Sequence, residues 1–333
     1  MSTVPFERKA TVWKAPPVTA TTFAMPLTCT GAARAVKLPS PTWPLLFRPQ
    51  PHSEPSPHIQ SNDSTALSSN GRFIAFVSLA SNLVPGDTSS NAEIFVYDRQ
   101  LSQMQRVSVG TGGAESNGQS QFPSISGDGR YVSYASTSNN LVAGDSNGKF
   151  DIFVYDRTAA VTQRASVGPG GAQSNGDSFS GSLSSDGRYV AFSSNATNLV
   201  AGDTNGKFDI FVRDLTAGGV TTRVSVATGG GQSNGDSYLP AISGDGRYVA
   251  YSSTATNLVA GDTNGKSDVF LYDRNFGTTT RVTVGTGGAQ ANGDSLFPAL
   301  SADGTVVGFT SFASNLVPGD TNSVSDVFVK SNP

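Results

Sequence analysis

The sequence predicts an all-β chain folded as a five-bladed β-propeller of four-stranded antiparallel blades. Three observations point there. A Gly-Asp pair recurs with its aspartates at Asp87, Asp145, Asp203, Asp262 and Asp320, spaced by 58, 58, 59 and 58 residues. The turn Asn70-Gly71-Arg72 returns as Asp128-Gly129-Arg130, Asp186-Gly187-Arg188, Asp245-Gly246-Arg247 and Asp303-Gly304-Thr305 with the same spacing. Each unit also holds four short apolar runs separated by Gly, Asn, Asp and Ser, and four antiparallel strands per repeat make one blade.

Within a unit the first strand is short and ends in the turn, as in Phe122-Pro123-Ser124-Ile125-Ser126. The second, Tyr189-Val190-Ala191-Phe192-Ser193-Ser194, alternates apolar and small residues, the period of a strand. The third is Asp209-Ile210-Phe211-Val212-Arg213-Asp214 and the fourth Thr222-Arg223-Val224-Ser225-Val226, followed by a Gly-rich link. The extra residue of the long interval falls in Ala217-Gly218-Gly219, between strands three and four, where a loop absorbs an insertion. The blades are thus expected near residues 63–117, 118–175, 176–234, 235–292 and 293–330, within a propeller domain of residues 43–330.

The fifth unit stops after its third strand, Val327-Phe328-Val329-Lys330. An unpaired sheet edge is a liability, so the missing outer strand is expected from the N-terminal side. Projecting the Arg106 column back one repeat reaches Arg48, preceded by Leu45-Leu46-Phe47, and makes Trp43–Arg48 the expected closing strand. Pro44 and Pro49 suit an outermost strand. Residues 1–42, rich in Pro, Ala and Thr, read as an extension, either a disordered tail or a targeting segment. Its apolar patch Val18–Leu27 is Thr-rich and broken by Pro26, so no clear signal peptide and no membrane span is expected.

Composition narrows the chemistry. The 333 residues include one cysteine, Cys29, and two histidines, His52 and His58, all before the repeats. The blades therefore carry no Ser-His-Asp or Cys-His mechanism and no thiolate metal site. Six of the 22 basic and two of the 25 acidic residues fall in residues 1–60, which leaves the repeats with an excess of seven acids. Such a body does not bind nucleic acid by charge.

The units FPSISGDGRYVSYAS, LPAISGDGRYVAYSS and FPALSADGTVVGFTS resemble the TolB-like, WD-like propeller repeats, marked by a Pro in strand one and a Ser-x-Asp-Gly turn. The resemblance spans all five units; Thr65 and Gly181 replace the Pro in blades one and three, and each unit carries a longer segment of the type NLVAGDTNGKFDIFV. It implies a propeller, a binding role toward a protein or glycan of the cell envelope, and a periplasmic or extracellular setting. A monomer is expected.

Catalysis breaks repeat symmetry, because one active site needs different residues from different blades. Of the 23 acids in the repeats, all but Asp63 and Glu115 fall in repeated columns. Asp63, expected on an innermost strand facing the channel, is the single candidate catalytic carboxylate, against the reading of a polar residue in a worn first repeat. Glu115, in a column otherwise holding Gln173, Gln232 and Gln290, is expected to be a solvated loop residue. A glycosidase needs two placed carboxylates. The function expected is accordingly a non-enzymatic interaction scaffold, the alternative being a carbohydrate-active hydrolase with carboxylates in the central channel.

The strongest candidate site is the repeated Asp-x-Asn-Gly-x-x-Asp loop between strands two and three. Its residues are Asp145, Asn147 and Asp151, then Asp203, Asn205 and Asp209, then Asp262, Asn264 and Asp268, with the variant Asp320, Asn322 and Asp326. Calcium takes six to eight oxygens from such groups, and the spacing brings two side chains round one point. The same residues also cap tight turns. Calcium is thus an expected ligand beside plain turn chemistry, with blade one, carrying Ser89 and Glu93, expected to bind least well.

Overall fold

The computed structural model describes residues 36–38 and 65–332. Its strands form five four-stranded antiparallel sheets, one per blade, with no α-helix among the described residues. Blade one comprises β2 (Thr65–Leu67), β3 (Phe73–Ser78), β4 (Glu93–Asp98) and β5 (Gln103–Arg106). Blade two comprises β6 (Ser120–Ile125), β7 (Tyr131–Ser136), β8 (Asp151–Asp156) and β9 (Val161–Arg164). Blade three has β10 (Ser178–Leu183), β11 (Tyr189–Ser194), β12 (Asp209–Asp214) and β13 (Thr221–Arg223). Blade four has β14 (Ser237–Ile242), β15 (Tyr248–Ser253), β16 (Asp268–Asp273) and β17 (Thr278–Arg281). In blade five, β18 (Ser295–Leu300), β19 (Val306–Ser311) and β20 (Asp326–Ser331) are completed by β1 (Val36–Leu38).

The N-terminal strand closes the last sheet as expected, but it is a different segment from the one anticipated. Val36 pairs with Val329, Lys37 with Phe328 and Leu38 with Val327. The expected strand, Trp43–Arg48, lies outside the described residues. The register explains the choice. In blades one to four the residue opposite the central phenylalanine of strand three is Arg106, Arg164, Arg223 or Arg281. In blade five that register position belongs to Lys37, in a strand without proline.

The blades pack face to face through repeated columns. Tyr134, Phe192, Tyr251 and Phe309 lie beside Phe153, Phe211, Phe270 and Phe328 with centroids 6.1, 5.9, 6.0 and 5.6 Å apart, and all eight are buried. Neighbouring blades are also joined through their turns: Ser69 N donates to Gly127 O, Gly127 N to Ser185 O, Ser185 N to Gly244 O and Gly244 N to Ala302 O, at 2.7–2.9 Å. The turn glycine is required twice over. Gly187 sits at φ +70°, and a Cβ there would lie 2.1 Å from the Tyr131 ring of the preceding blade.

The two ends of the blade series differ from its middle. Leu67 of β2 is 63% exposed, whereas its counterparts Ile125, Leu183 and Ile242 are 7–8% exposed against the preceding blade. Val327 of β20 is 42% exposed, whereas Ile94, Ile152, Ile210 and Val269 are fully buried against the following one. β1 therefore completes the fifth sheet, while the outer faces of blades one and five stay uncovered among the described residues. The role of β1 gives a direct test. Deleting residues 1–38 is expected to lower the melting temperature by several degrees, on the scale of one to a few kcal/mol for a lost edge strand. Deleting residues 1–30 should leave it nearly unchanged. Equal melting of the two truncated proteins would show that β1 contributes nothing.

Candidate functional site

Strand three of every blade begins with a buried carboxylate: Glu93, Asp151, Asp209, Asp268 and Asp326 are each at most 2% exposed. A buried charge is costly unless it is paired and hydrogen-bonded. In blade two, Asp151 Oδ1 accepts a bond from the Ser166 hydroxyl at 2.5 Å and Oδ2 accepts one from Asn147 Nδ2 at 2.7 Å. Arg164 Nη1 lies 3.4 Å from Asp151 Oδ2 and 3.0 Å from Asp145 Oδ1. Gln173 Oε1 accepts from the same guanidinium at 3.2 Å, and Gln173 Nε2 donates to Gly144 O at 2.7 Å. Asn147 holds its own loop as well, its Oδ1 accepting Lys149 N at 3.0 Å.

Blades three and four repeat the arrangement. Arg223 reaches Asp203 at 3.0 Å and Asp209 at 3.4 Å; Arg281 reaches Asp262 at 3.0 Å and Asp268 at 3.6 Å. Asn205 and Asn264 donate to Asp209 and Asp268 at 2.8 Å, while Ser225 and Thr283 donate to their other oxygens at 2.5 Å. In blade five Asn322 donates to both oxygens of Asp326, at 3.1 and 3.3 Å. Burial pushes the carboxyls of Asp151, Asp209 and Asp268 upward, opposed by these hydrogen bonds. In blades two to four the structure thus brings Asp, Asn and Asp of each loop together, with an arginine of strand four as the cation at their centre; in blade five it joins Asn322 and Asp326. The sequence alone did not suggest the arginine partner.

A second set of ion pairs lies at the other end of the blades. In β8–β9 the residue opposite Asp156 is Val161, while Arg164 stands opposite Phe153. Asp156 instead binds Arg130 at 2.6 Å and Asp273 binds Arg247 at 2.7 Å. These guanidiniums also lie over the adjoining rings, Arg130 4.8 Å from the Tyr131 centroid and Arg247 4.5 Å from that of Tyr248. Asp98, bonded by Arg72 and by the amides of Leu101 and Gln100, is held down to about 2.

Blade one departs from the others. Arg106 Nη1 faces three carboxylates, Glu115 at 2.5 Å and Asp87 and Glu93 at 3.3 Å. Glu115, expected to be a solvated loop residue, also accepts Thr88 N at 2.8 Å and the Thr88 hydroxyl at 2.5 Å, because it reaches into the position of the repeated glutamine. Ser89 replaces the asparagine that donates to the strand-three carboxylate elsewhere, and Glu93 Oε1 is buried without a hydrogen bond. This is the one blade in which three carboxylates lie within 4.8 Å of one another among the described residues. Asp63, the catalytic candidate, lies outside the described residues.

One further feature escaped the sequence reading. Phe150, Phe179, Phe208 and Tyr238 form a continuous arc across blades two to four, with centroids 4.9, 6.3 and 5.0 Å apart. All four are half-buried. The arc is held on the loop face by the acids of the blade links: Asp177 accepts Phe150 N at 3.0 Å and Asp236 accepts Phe208 N at 2.9 Å. It breaks the repeat, since Ala92 and Ser267 replace the first ring and Gln121 and Leu296 the second. That break was its only signal in the sequence. The innermost strands β2, β6, β10, β14 and β18 contain no Asp or Glu.

Burial, opposed by Arg106, pushes Glu93 up from 4.5 to about 7. The folded state then holds a proton that the unfolded chain releases near 4.5, so this contribution to stability is present below that pH and is lost as pH rises through 7. Glu93→Gln is expected to match the parent protein at about pH 4 and to exceed it at about pH 8 by on the order of 3 kcal/mol. Urea unfolding at the two pH values measures the difference; parallel curves would mean that Glu93 does not titrate in this range.

No family model matches the chain, and no curated protein matches it. Among solved structures it is similar to TolB from Acinetobacter baumannii, at 17% identity and a TM-score of 0.45, over 81% of this chain and 54% of that one. It is similar also to a putative TolB from Agrobacterium tumefaciens, at 15% identity and a TM-score of 0.48, over 81% and 90% of the two chains. A third is an oligogalacturonate lyase from Vibrio parahaemolyticus, at 10% identity and 0.44, over 82% and 66%. The chain spans about half the length of the Acinetobacter protein. None of these likenesses assigns a function, and the five-bladed architecture rests on the strand pairing itself.

Proposed function

We propose that the protein is a non-enzymatic binding scaffold of TolB-like propeller type whose ligand, a protein or glycan of the cell envelope, lies across the aromatic arc on the loop face. The observation that carries this reading is the arc itself. Four half-buried rings in contact, with Asp177 and Asp236 bonded to the amides of Phe150 and Phe208, offer a rigid apolar platform with carboxylates beside it. Two supporting facts weigh against a hydrolase in the channel: the innermost strands carry no carboxylate, and the loop carboxylates of blades two to four are committed to arginine. A periplasmic or extracellular setting belongs to the same proposal; no helix among the described residues is long and apolar enough to cross a membrane.

Neutral cell-wall oligosaccharides and envelope peptides, titrated calorimetrically, test the reading. Phe179→Ala is expected to weaken binding about five- to tenfold, the scale of one stacked ring. The titrated oligosaccharide should be recovered uncleaved. Cleavage, or binding indifferent to Phe179, would replace this reading with another.

In blades two to four, calcium at the Asp-x-Asn-Gly-x-x-Asp loops would have to displace the arginine that sits between the carboxylates. On that geometry millimolar calcium is expected to leave the melting temperature within about a degree of its value in chelator. A rise of several degrees would instead make calcium a ligand of these loops.

A further inference from the structure

The outer junction of blades two and three is where the repeat is most altered. In blades one, two and four the fifth residue of strand three is Tyr97, Tyr155 or Tyr272; in blade three it is Arg213. Two residues on, Arg99, Arg157 and Arg274 give way to Leu215. The single insertion of the chain, at Ala217-Gly218-Gly219, lies in the same hairpin.

These changes open space. Tyr155 packs, 5% exposed, into the cluster between blades one and two, and Arg157 Nε donates to Gln105 Oε1 across that joint at 2.8 Å. At the next joint Leu215 makes no such bond, and a cavity of about 500 Å³ lies between the two blades. Its walls are the link at Pro169, the loop at Leu199 and Val200, and the hairpin at Gly218 and Val220, with Arg213 also lining it. Beside that guanidinium the walls are apolar side chains, glycine backbone and Thr221.

Arg213 is half-buried; its backbone pairs in the sheet with Val190 and Thr221, and its guanidinium forms no hydrogen bond or ion pair with a carboxylate or carbonyl among the described residues. Asp214, next in sequence, points its carboxylate to Arg188 at 2.9 Å and acts on Arg213 through charge alone. The cation of the same column in blade five is used differently, Lys330 Nζ donating to Val282 O of blade four at 2.8 Å. A half-buried guanidinium lining a cavity lacks the oxyanion that its planar fork of donors matches.

We propose that this cavity is a binding site for a small organic oxyanion, a carboxylate or a phosphate monoester, held by Arg213 with its compact apolar body against Pro169, Leu199 and Val220. The site is separate from the aromatic arc, so it stands or falls independently of the scaffold reading.

Calorimetric titration of the full chain with benzoate and with phenyl phosphate tests it. Saturable binding of at least one probe is expected, and the tighter of the two identifies the oxyanion. Arg213→Tyr, which restores the residue of three other blades, should keep the melting temperature and weaken binding at least about tenfold, the scale of a charge-assisted bond. Val220→Glu, at a position 63% exposed, should weaken it similarly by placing a carboxylate at the rim, and covers the case in which the first variant fails to fold. Absence of saturable binding by either probe below about 10 mM, or undiminished binding by a folded variant, overturns the proposal.

Discussion

The fold depends on satisfying one buried carboxylate per blade. Placing Asp151, Asp209 or Asp268 at the head of strand three, out of contact with water, would cost several kcal/mol if the group were left without partners. The partners come from separate segments: an asparagine from the preceding loop, a hydroxyl from the residue two past the strand-four arginine, and that arginine itself. Meeting the requirement therefore fixes the loop, the third strand and the fourth strand in one geometry. The glutamine of the blade link is drawn onto the same guanidinium, which ties one blade to the start of the next.

This constraint explains why the Asp, Asn, Arg and Gln columns repeat together. It also gives meaning to the departures. In blade one a third carboxylate replaces the glutamine and a serine the asparagine, and burial, opposed by Arg106, pushes the Glu93 carboxyl upward. In blade three the clamp is intact, and the changes lie at the opposite end of the strand, in Arg213, Leu215 and the inserted hairpin residue. The two kinds of departure are thus spatially separate. One alters the electrostatics of a buried cluster, the other the shape of an inter-blade joint.

Much of the polar content that reads in the sequence as surface is interior. Ser120 and Ser136, Ser178 and Ser194, and Ser237 and Ser253 are buried pairs with hydroxyls 3.0 Å apart. Half-buried hydroxyls join blades: Thr162 Oγ1 donates to Val109 O at 2.5 Å and Thr221 Oγ1 to Val167 O at 2.6 Å. Small hydroxyl residues let strands approach closely while satisfying one another, which an apolar-pattern reading does not detect.

By itself the sequence determined the repeat, the number of blades, the second and third strands to the residue, and which acids share an environment, because period and alternation are local properties of the chain. It also brought the loop residues Asp145, Asn147 and Asp151 together, since they lie within one turn of sequence. Tertiary structure alone decided which cation meets those acids, because strand register places Arg164 beside Asp151 and not beside Asp156. It decided likewise that Val36–Leu38 is the strand added to blade five, and that Phe150, Phe179, Phe208 and Tyr238, about 29 residues apart along the chain, make one arc. Those contacts join segments that no local pattern relates, and they exist only once neighbouring blades are packed.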